Sequence, residues 1–313
     1  MSKNQLIFVA GHKGMVGAAL CRALLSKGYE NLLTVGKEKM DLCDQSQVRA
    51  FFEEKRPNTV FLAAARVGGI KANRDYPADF LYQNLAIQTN VIHEAWRSGV
   101  SRFVFLGSSC IYPRECPQPI REEYLLTSPL ETTNEAYAIA KIAGVKMVEF
   151  YKKQYGFNAI SLMPCNLYGP NDHFDLNTSH VLPALVRRFV DAAQEGAPNV
   201  TLWGTGTPLR EFLHVDELAA AALFLSAHSS APALINVGSG TDLSIKELAI
   251  KIAEIAGYKG EICWDTSMPD GTPRKCLDIS RLKALGFMPR ISLDEGIPAV
   301  VEEYKRRKAA GSL

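Results

Sequence analysis

Short apolar runs alternate with stretches of helical periodicity along the first half of the chain. The apolar runs predict buried strands, at residues 6–10, 31–35, 58–63, 103–106 and 159–163. The periodic stretches predict helices, from the first glycines to about Lys27, from Asp44 to about Arg56, from Pro77 to Ser98 and around Tyr137 to about Tyr155. Because strands and helices alternate, we expect an α/β fold built on a doubly wound parallel sheet.

Helix starts are also indicated later in the chain, where the pattern becomes less regular. Ser244 and Glu247 form a capping box, and Ser292 is expected to cap a final helix. Asp216 is predicted as the N-cap of an alanine-rich helix. The segment before it, which contains Arg210, is rich in Gly and Pro and predicts a turn.

The composition narrows the classes of function. The chain has 313 residues, of which 47% are hydrophobic, and a net charge of +2, so we expect no binding to nucleic acid or to a membrane surface. No apolar run reaches the length that a membrane helix needs, and the chain leads directly into its first strand, without a signal peptide. Seven scattered cysteines without metal spacing predict reduced thiols, no metal site and a cytoplasmic location.

The glycine-rich turn GHKGMVG follows the first predicted strand. Gly11 would permit the tight turn, Gly14 would let the backbone approach a pyrophosphate, and Gly17 would let the helix pack closely. The glycine spacing is a variant of the usual dinucleotide-binding motif. Because the motif lies between a strand and a helix, it is nevertheless strong evidence for dinucleotide binding. We therefore predict a Rossmann domain at residues 1–165.

The remainder of the chain predicts a second domain. Residues 166–313 have the looser pattern expected of a smaller α/β substrate domain. Segments near residues 213–240 are expected to return to the first domain.

Two lysines suggest which dinucleotide binds. Lys13 lies inside the first turn, and Lys37 follows Gly36 at the end of the second strand, where an NAD-binding protein commonly has an acid. Cations at these places favour the 2′-phosphate of NADP(H). Glu38 does not fit this pattern, and the lysines could instead be solvated surface charge.

The most informative stretch runs from Phe103 to Lys141. Its strand ends in a glycine, two serines and a cysteine, so Ser108, Ser109 and Cys110 would face the crevice at the carboxyl end of the sheet. Tyr137 and Lys141 lie one turn apart on a predicted helix. An ammonium stabilises a nearby phenolate, so we expect the pKa of Tyr137 to fall from about 10 toward neutrality. Tyr137 would then donate a proton to a carbonyl oxygen as a hydride arrives.

Seven motifs resemble the extended short-chain dehydrogenase/reductase family, whose members act on nucleotide sugars. The motifs are GHKGMVG, LGSSCIYP, NEAYAIAKIAG, NLYGP, SHVLPAL, TPLREFLHVD and PDGTPRK. They are similar to the branch that epimerises GDP-4-keto-6-deoxy-D-mannose at positions 3 and 5 and reduces position 4 with NADPH. In that branch, Lys13 would often be an arginine, so bidentate geometry is lost while charge is kept.

The resemblance implies a catalytic set. Cys110 would remove the protons next to the ketone, and His180 would return protons on the opposite face. Ser108 and Tyr137 would bond the carbonyl oxygen, and Lys141 would hold the nicotinamide ribose. Without the resemblance, Cys110 would be interpreted as a small buried hydrophobe and His180 as a surface residue at the start of a helix.

The resemblance also implies binding residues and a homodimer built from the helices at Pro77 and around Tyr137. For the GDP-sugar it implies Arg188 and Arg210 on the diphosphate and Trp203 and Asp270 near the nucleotide and sugar, although Arg210 could instead pair with Glu211. For NADP(H) it implies Gly11, His12, Lys13, Gly14, Met15, Val16, Gly17, Lys37, Asp41, Leu42, Leu106, Gly107, Ser108, Ser109, Lys141, Pro164, Cys165, Asn166, Leu167 and His180.

Two alternatives stay open. One is another nucleotide-sugar epimerase or reductase on the same fold, although a 4,6-dehydratase would normally have an Asp-Glu pair where this chain has Ser109 and Cys110. The other is a non-catalytic NADP-binding sensor. Such proteins tend to lose the tyrosine or the lysine, and this chain has both.

Overall fold

A computed structural model describes residues 2–176, 178–228, 231–268 and 270–313. Pro269, the first residue of the motif PDGTPRK, lies outside the described residues. The strands are β1 (Ile7–Ala10), β2 (Leu32–Leu33), β3 (Thr59–Leu62), β4 (Arg102–Leu106), β5 (Ala159–Pro164), β6 (Asn166–Tyr168), β7 (Asn199–Trp203), β8 (Leu209–His214), β9 (Leu234–Val237), β10 (Asp242–Ser244), β11 (Glu261–Asp265) and β12 (Arg274–Lys275). The α-helices are α1 (Met15–Ser26), α2 (Gln45–Lys55), α3 (Ile70–Asp75), α4 (Pro77–Arg97), α5 (Glu135–Tyr155), α6 (Val181–Glu195), α7 (Val215–Ser226), α8 (Ile245–Ala256), α9 (Ser280–Ala284) and α10 (Leu293–Ala309).

The larger sheet has six strands in the order β2-β1-β3-β4-β5-β9, and all of its pairs are parallel. Every residue of β1, β3, β4 and β5 is buried, because helices cover both faces of the sheet. One layer contains α1 and α7, and the other contains α2, α4 and α5. The predicted doubly wound α/β fold is confirmed. The chain reverses its direction across the sheet at β1, which places a ligand crevice at the carboxyl ends of the neighbouring strands.

Most predicted elements are present, and three details are wrong. The capping boxes at Ser244 and Ser292 are confirmed. The second strand is shorter than predicted, since only two of its residues pair with β1. Asp216 is not the N-cap of α7, because the His214 side chain accepts a hydrogen bond from Asp216 N at 3.3 Å and caps the helix itself. Arg210 lies on β8 and not in a turn.

The second half of the chain forms two smaller sheets. β8 lies between β10, which is antiparallel to it, and β12, which is parallel, and β6 also pairs with β8. β7 and β11 form a separate parallel pair. A second hydrophobic cluster packs between these sheets and the helices α6, α8 and α10, with Tyr168, Phe189, Phe212, Ile252 and Tyr304 among its buried residues.

Several late segments belong to the first hydrophobic cluster. α7 packs into that cluster, and β9 pairs with β5 at the edge of the large sheet. Leu277, Ile279 and Leu282 also pack into that cluster, which the sequence did not indicate. The domain boundary at residue 165 stays a prediction. Within the described residues, no helix combines the length and the apolar character needed to cross a membrane.

Candidate active site

One cleft at the carboxyl ends of the parallel strands is lined by every predicted site residue. Its volume is about 1980 Å³. Pockets for one small ligand commonly occupy roughly 300–1,000 Å³, so this cleft has room for two ligands side by side. The individual roles of the lining residues stay predictions.

The turn after β1 excludes side chains at two glycines. Gly11 has a φ of +87°, and a Cβ at this position would lie 2.7 Å from Ala64 N. A Cβ on Gly17 would lie 2.1 Å from Gly11 O. The start of α1 therefore packs directly against the turn, and residues 12–16 line the cleft. Gly14 N donates a hydrogen bond to Gly11 O at 3.0 Å, whereas the first amide groups of a helix have no acceptor within the helix itself. This cradle fits the pyrophosphate of a dinucleotide.

An ion pair lies at the end of the cleft that follows β2. Lys13 Nζ is 3.1 Å from Glu38 Oε2, and both side chains are largely exposed. The carboxylate folds over Gly36, where a Cβ would lie 2.2 Å from Glu38 Oε1. Lys37 is exposed and has no carboxylate within ion-pair distance in the described part of the chain. A 2′-phosphate would therefore meet one free cation and one that Glu38 already holds.

The end of β4 turns sharply and directs its polar residues into the cleft. Ser108 is the N-cap of a short 3-10 helix at Ser109–Ile111, and its Oγ accepts a hydrogen bond from Cys110 N at 3.2 Å. Cys110 is half-buried and lines the cleft. The strand end thus holds the hydroxyl and the thiol two residues apart in one rigid turn.

The predicted pKa of Tyr137 is wrong in direction. Burial raises the pKa of Tyr137 above 10, the Cys110 thiol adds to that rise, and a hydrogen bond with Ser108 opposes it. Lys141 Nζ lies over the Tyr137 ring, 5.9 Å from its centroid, and donates a hydrogen bond to Leu106 O at 2.9 Å. Burial lowers the pKa of Lys141 to about 7. Desolvation of both groups outweighs their proximity, so Tyr137 holds its proton at neutral pH.

His180 is the N-cap residue of α6 and lines the cleft. Its side chain makes no capping hydrogen bond, so the ring is free to face a ligand. Desolvation by the surrounding protein, with a smaller effect from His173, lowers the pKa of His180 below its usual value. The imidazole is therefore mostly neutral at neutral pH and is a stronger acid when it is protonated.

The residues predicted for the substrate line the same cleft. Arg188 is half-buried on α6, and Trp203 is 66% exposed at the end of β7. Desolvation lowers the pKa of Arg210, and nearby Asp270 opposes that change. Asp270 also accepts hydrogen bonds from Thr205 N at 2.7 Å and Thr205 Oγ1 at 2.8 Å, which fixes the loop after β7.

The alternative pairing of Arg210 with Glu211 is wrong. Glu211 is fully buried and accepts hydrogen bonds from Gly240 N at 2.6 Å and Leu277 N at 2.8 Å. Successive residues of a strand point to opposite faces, so the Arg210 side chain points away from this carboxylate. Arg210 therefore stays available to the cleft.

Lys275 is a cleft residue that sequence reasoning did not single out. Its Nζ lies 3.7 Å from Cys110 Sγ. Lys275 belongs to the motif PDGTPRK, but no spacing rule relates it to a cysteine in the first half of the chain.

All seven cysteines are free thiols. In the part of the chain that the structure describes, no group of three or more His, Cys, Asp or Glu side chains is arranged to hold a metal ion.

Comparisons with known proteins agree with this geometry. Residues 7–238 match the NAD dependent epimerase/dehydratase family. The chain is similar to GDP-L-fucose synthase 1 of Arabidopsis thaliana, with 53% identity over 302 residues that cover 96% of this chain and 94% of that protein. It is 51% identical over 313 residues to GDP-L-fucose synthase of Escherichia coli strain K12, with 97% of each chain covered.

A solved structure with a ligand is also similar. It is a GDP-mannoheptose C4 reductase from Campylobacter jejuni with NADP bound. The two chains are 38% identical with a TM-score of 0.90, over 97% of this chain and 99% of that one.

Proposed function

Because the chain belongs to the NAD dependent epimerase/dehydratase family, we propose that it makes GDP-L-fucose. It epimerises positions 3 and 5 of GDP-4-keto-6-deoxy-D-mannose and then reduces the 4-keto group with NADPH. The observation that carries this proposal is that one cleft combines two chemistries: Ser108 and Tyr137 for the carbonyl oxygen, and Cys110 and His180 for the carbon-bound protons. The similarity to GDP-L-fucose synthases over nearly the whole chain supports the same activity.

The epimerisation uses the acidity of hydrogens beside a ketone. The Cys110 thiolate removes the proton from position 3 or 5, and the electron pair of the C–H bond forms an enolate. Ser108 and Tyr137 donate hydrogen bonds to the enolate oxygen and stabilise its charge. His180 then returns a proton on the opposite face, for which its lowered pKa is suitable, since a stronger acid releases its proton more readily.

The reduction follows in the same place. NADPH, when bound, supplies a hydride to carbon 4. Tyr137 gives its proton to the carbonyl oxygen, and its raised pKa ensures that the proton is present at neutral pH. Lys141 extends from α5 to the end of β4, where its contact with Leu106 O sets the position from which it holds the nicotinamide ribose.

The cofactor and the substrate occupy different parts of the cleft. The glycine cradle and Lys37 suit NADP(H), with Lys13 as a second cation for the 2′-phosphate. Arg188 and Arg210 suit the diphosphate of the GDP-sugar, since planar guanidinium groups match phosphate oxygens. The volume of the cleft supports simultaneous binding of both ligands.

The assembly is a homodimer that uses α4 and α5. These helices pack against each other and expose large aromatic side chains, among them Tyr82, Phe150 and Tyr155. An exposed aromatic surface of this kind is typical of a subunit interface, and a two-fold axis would form a four-helix core. Sedimentation should give a dimer, and Phe150→Glu should dissociate it. A monomer for the unmodified chain would contradict the proposal.

The protein works in the cytoplasm, where NADPH and reduced thiols are both expected. Its chain divides near residue 165 into a Rossmann domain and a substrate domain, and the two hydrophobic clusters support that division.

One experiment tests the function. GDP-4-keto-6-deoxy-D-mannose is incubated with the enzyme and NADPH, and the product is identified by NMR. We expect one NADPH oxidised per sugar and GDP-L-fucose as the product, with Tyr137→Phe as the inactive control. A reduced sugar with unchanged stereochemistry would indicate a simple reductase. Tight NADPH binding without any turnover would indicate a sensor.

A further inference from the structure

Lys275 faces Cys110 across the cleft. Lys275 Nζ lies 3.7 Å from Cys110 Sγ, within the range of a hydrogen bond to sulfur. Both side chains are half-buried, so water screens this contact less than it would on an open surface. Among the described residues, Lys275 has no carboxylate within ion-pair distance, whereas the preceding Arg274 is paired with Asp242 at 2.6 Å.

The backbone holds Lys275 in place from two sides. β12 pairs with β8, with Lys275 opposite Arg210 in the register. The next residue, Cys276, receives a hydrogen bond at its carbonyl from Ile120 N at 2.8 Å, and Cys276 N donates one to Gln118 Oε1 at 3.0 Å. Residues 274–278, which we name the strap, therefore connect the sheet around β8 with a segment that follows β4. This backbone fixes the point from which the Lys275 side chain extends toward Cys110.

Charged or titratable groups on neighbouring elements also lie near this pair. Tyr137 interacts electrostatically with Cys110 from α5, and it is protonated at neutral pH. Cys116 interacts with Lys275 from the segment that precedes Gln118. Arg210 lies opposite Lys275 in the register of β8 and β12 and is a further cation. None of these three groups supplies a negative charge that would neutralise the Lys275 ammonium at neutral pH.

We propose that Lys275 is a positioning residue that stabilises the thiolate of Cys110 and so prepares it to act as the base of the epimerisation. The role of Cys110 as a base rests on the proposed function. The contact between the Lys275 ammonium and the Cys110 sulfur does not depend on that function. In the step, the proton moves from the sugar carbon to Cys110 Sγ, and the electron pair of the C–H bond becomes the enolate. The negative charge moves from the sulfur to the sugar oxygen, where hydrogen bonds from Ser108 and Tyr137 stabilise it.

Alkylation of Cys110 by iodoacetamide tests the electrostatic half of the proposal. The reagent is neutral, so the charge of Lys275 does not attract it, and only the thiolate reacts. The protein is used without substrate, the labelled Cys110 peptide is quantified by mass spectrometry, and Cys110→Ser gives the background. The rate is measured as a function of pH for the wild type, Lys275→Met, Lys275→Gln and Lys275→Arg.

We expect the pH midpoint of alkylation to rise by about one to three units in Lys275→Met and Lys275→Gln, since an opposite charge at this distance is removed. Lys275→Arg should restore most of the wild-type profile. Lys283→Met, which removes an exposed lysine on α9, should leave the profile unchanged. Two neutral variants are used so that a folding defect in one of them does not leave the question open. An unchanged midpoint in a folded neutral variant would overturn the proposal.

A second measurement connects the contact to catalysis. Lys275→Gln should slow the uptake of deuterium at positions 3 and 5 by at least about 10-fold at neutral pH and by less at alkaline pH. A residue that only binds the diphosphate would instead raise KM and leave the pH profile unchanged, which would contradict our inference. Because alkylation needs no substrate, it can support the contact even if the proposed function fails.

Discussion

The two glycines at the start of α1 allow cofactor binding to be separated from folding. A methyl group on Gly14 would lie 3.5 Å from its nearest neighbour, Gly11 O, which is an ordinary contact, and its φ of −78° suits alanine. A methyl group on Gly17 would lie 2.1 Å from the same oxygen. That atom or the helix must move by about 1.3 Å to reach the 3.4 Å at which ordinary contact begins. The first change leaves the free protein intact, and the second does not.

The expected magnitudes differ accordingly. In Gly14→Ala, the weaker N-cap and the smaller entropy of the unfolded chain roughly cancel, so the free energy of unfolding should change by less than about 1 kcal/mol. The methyl group nevertheless occupies space that a phosphate needs to reach the backbone amides. Loss of one hydrogen bond to a charged oxygen, worth about 1.5–3 kcal/mol, should raise the Kd for NADPH by about 10- to 150-fold.

Gly17→Ala should affect both quantities, because overpacking of this kind costs about 1–3 kcal/mol and displaces the turn itself. Calorimetric titration with NADPH and urea denaturation without cofactor measure the two effects, and each variant serves as the control for the other. Unchanged NADPH affinity in Gly14→Ala would refute the placement of the phosphates at this turn. Unchanged stability in Gly17→Ala would refute the close packing.

The other predictions concern single side chains in the cleft. Glu38→Gln removes the ion pair with Lys13, so kcat/KM for NADPH should rise by about 1.5- to 5-fold at low salt. The value for NADH should stay the same. An equal rise for both cofactors would contradict a role of Lys13 at the 2′-phosphate. Tyr137→Phe should slow NADPH oxidation by roughly 100- to 10,000-fold, while deuterium exchange at positions 3 and 5 continues. Cys110→Ser should instead slow this exchange and leave hydride transfer possible. Exchange at the wild-type rate in Cys110→Ser would mean that the thiol only fills space. The pKa of Lys141 is about 7 when folded and 10.5 in its reference state, so the unfolded chain binds more protons between these values. Lys141 should therefore make the free energy of unfolding rise with pH in that window, by up to roughly 1.4 kcal/mol per pH unit. Urea denaturation at several pH values should show this rise in the wild type and not in Lys141→Met. Equal slopes of the free energy of unfolding against pH in the two proteins would refute the prediction.

Features that depend on neighbours along the chain were predictable from the sequence. The capping boxes need only a serine and a glutamate three residues apart, and the structure contains both of them. The turn after β1 needs glycines at fixed spacing next to an apolar strand. Strand–helix alternation gave the parallel sheet, since short apolar runs separated by periodic stretches have few other arrangements.

Features that depend on burial or on distant partners were not predictable. Helical spacing correctly placed Tyr137 and Lys141 on one face, but it contained no information about how little water reaches them, and desolvation determined both pKa values. Glu38 was difficult to interpret because its partner, Lys13, lies on another turn. Lys275 reaches Cys110 only because the strap crosses between two sheets, and no local pattern encodes that crossing.

The position of β9 in the sheet has a consequence for the synthesis of the protein. β5 is fully buried in the finished sheet, with β4 on one side and β9 on the other, yet β9 is translated only after α6, β7, β8 and α7. Until residue 237 leaves the ribosome, the nascent chain has an apolar strand with an unpaired edge, which can pair with another chain. A fragment that ends near residue 165 would keep that edge permanently. Its expression should therefore yield aggregates and not a small cofactor-binding protein.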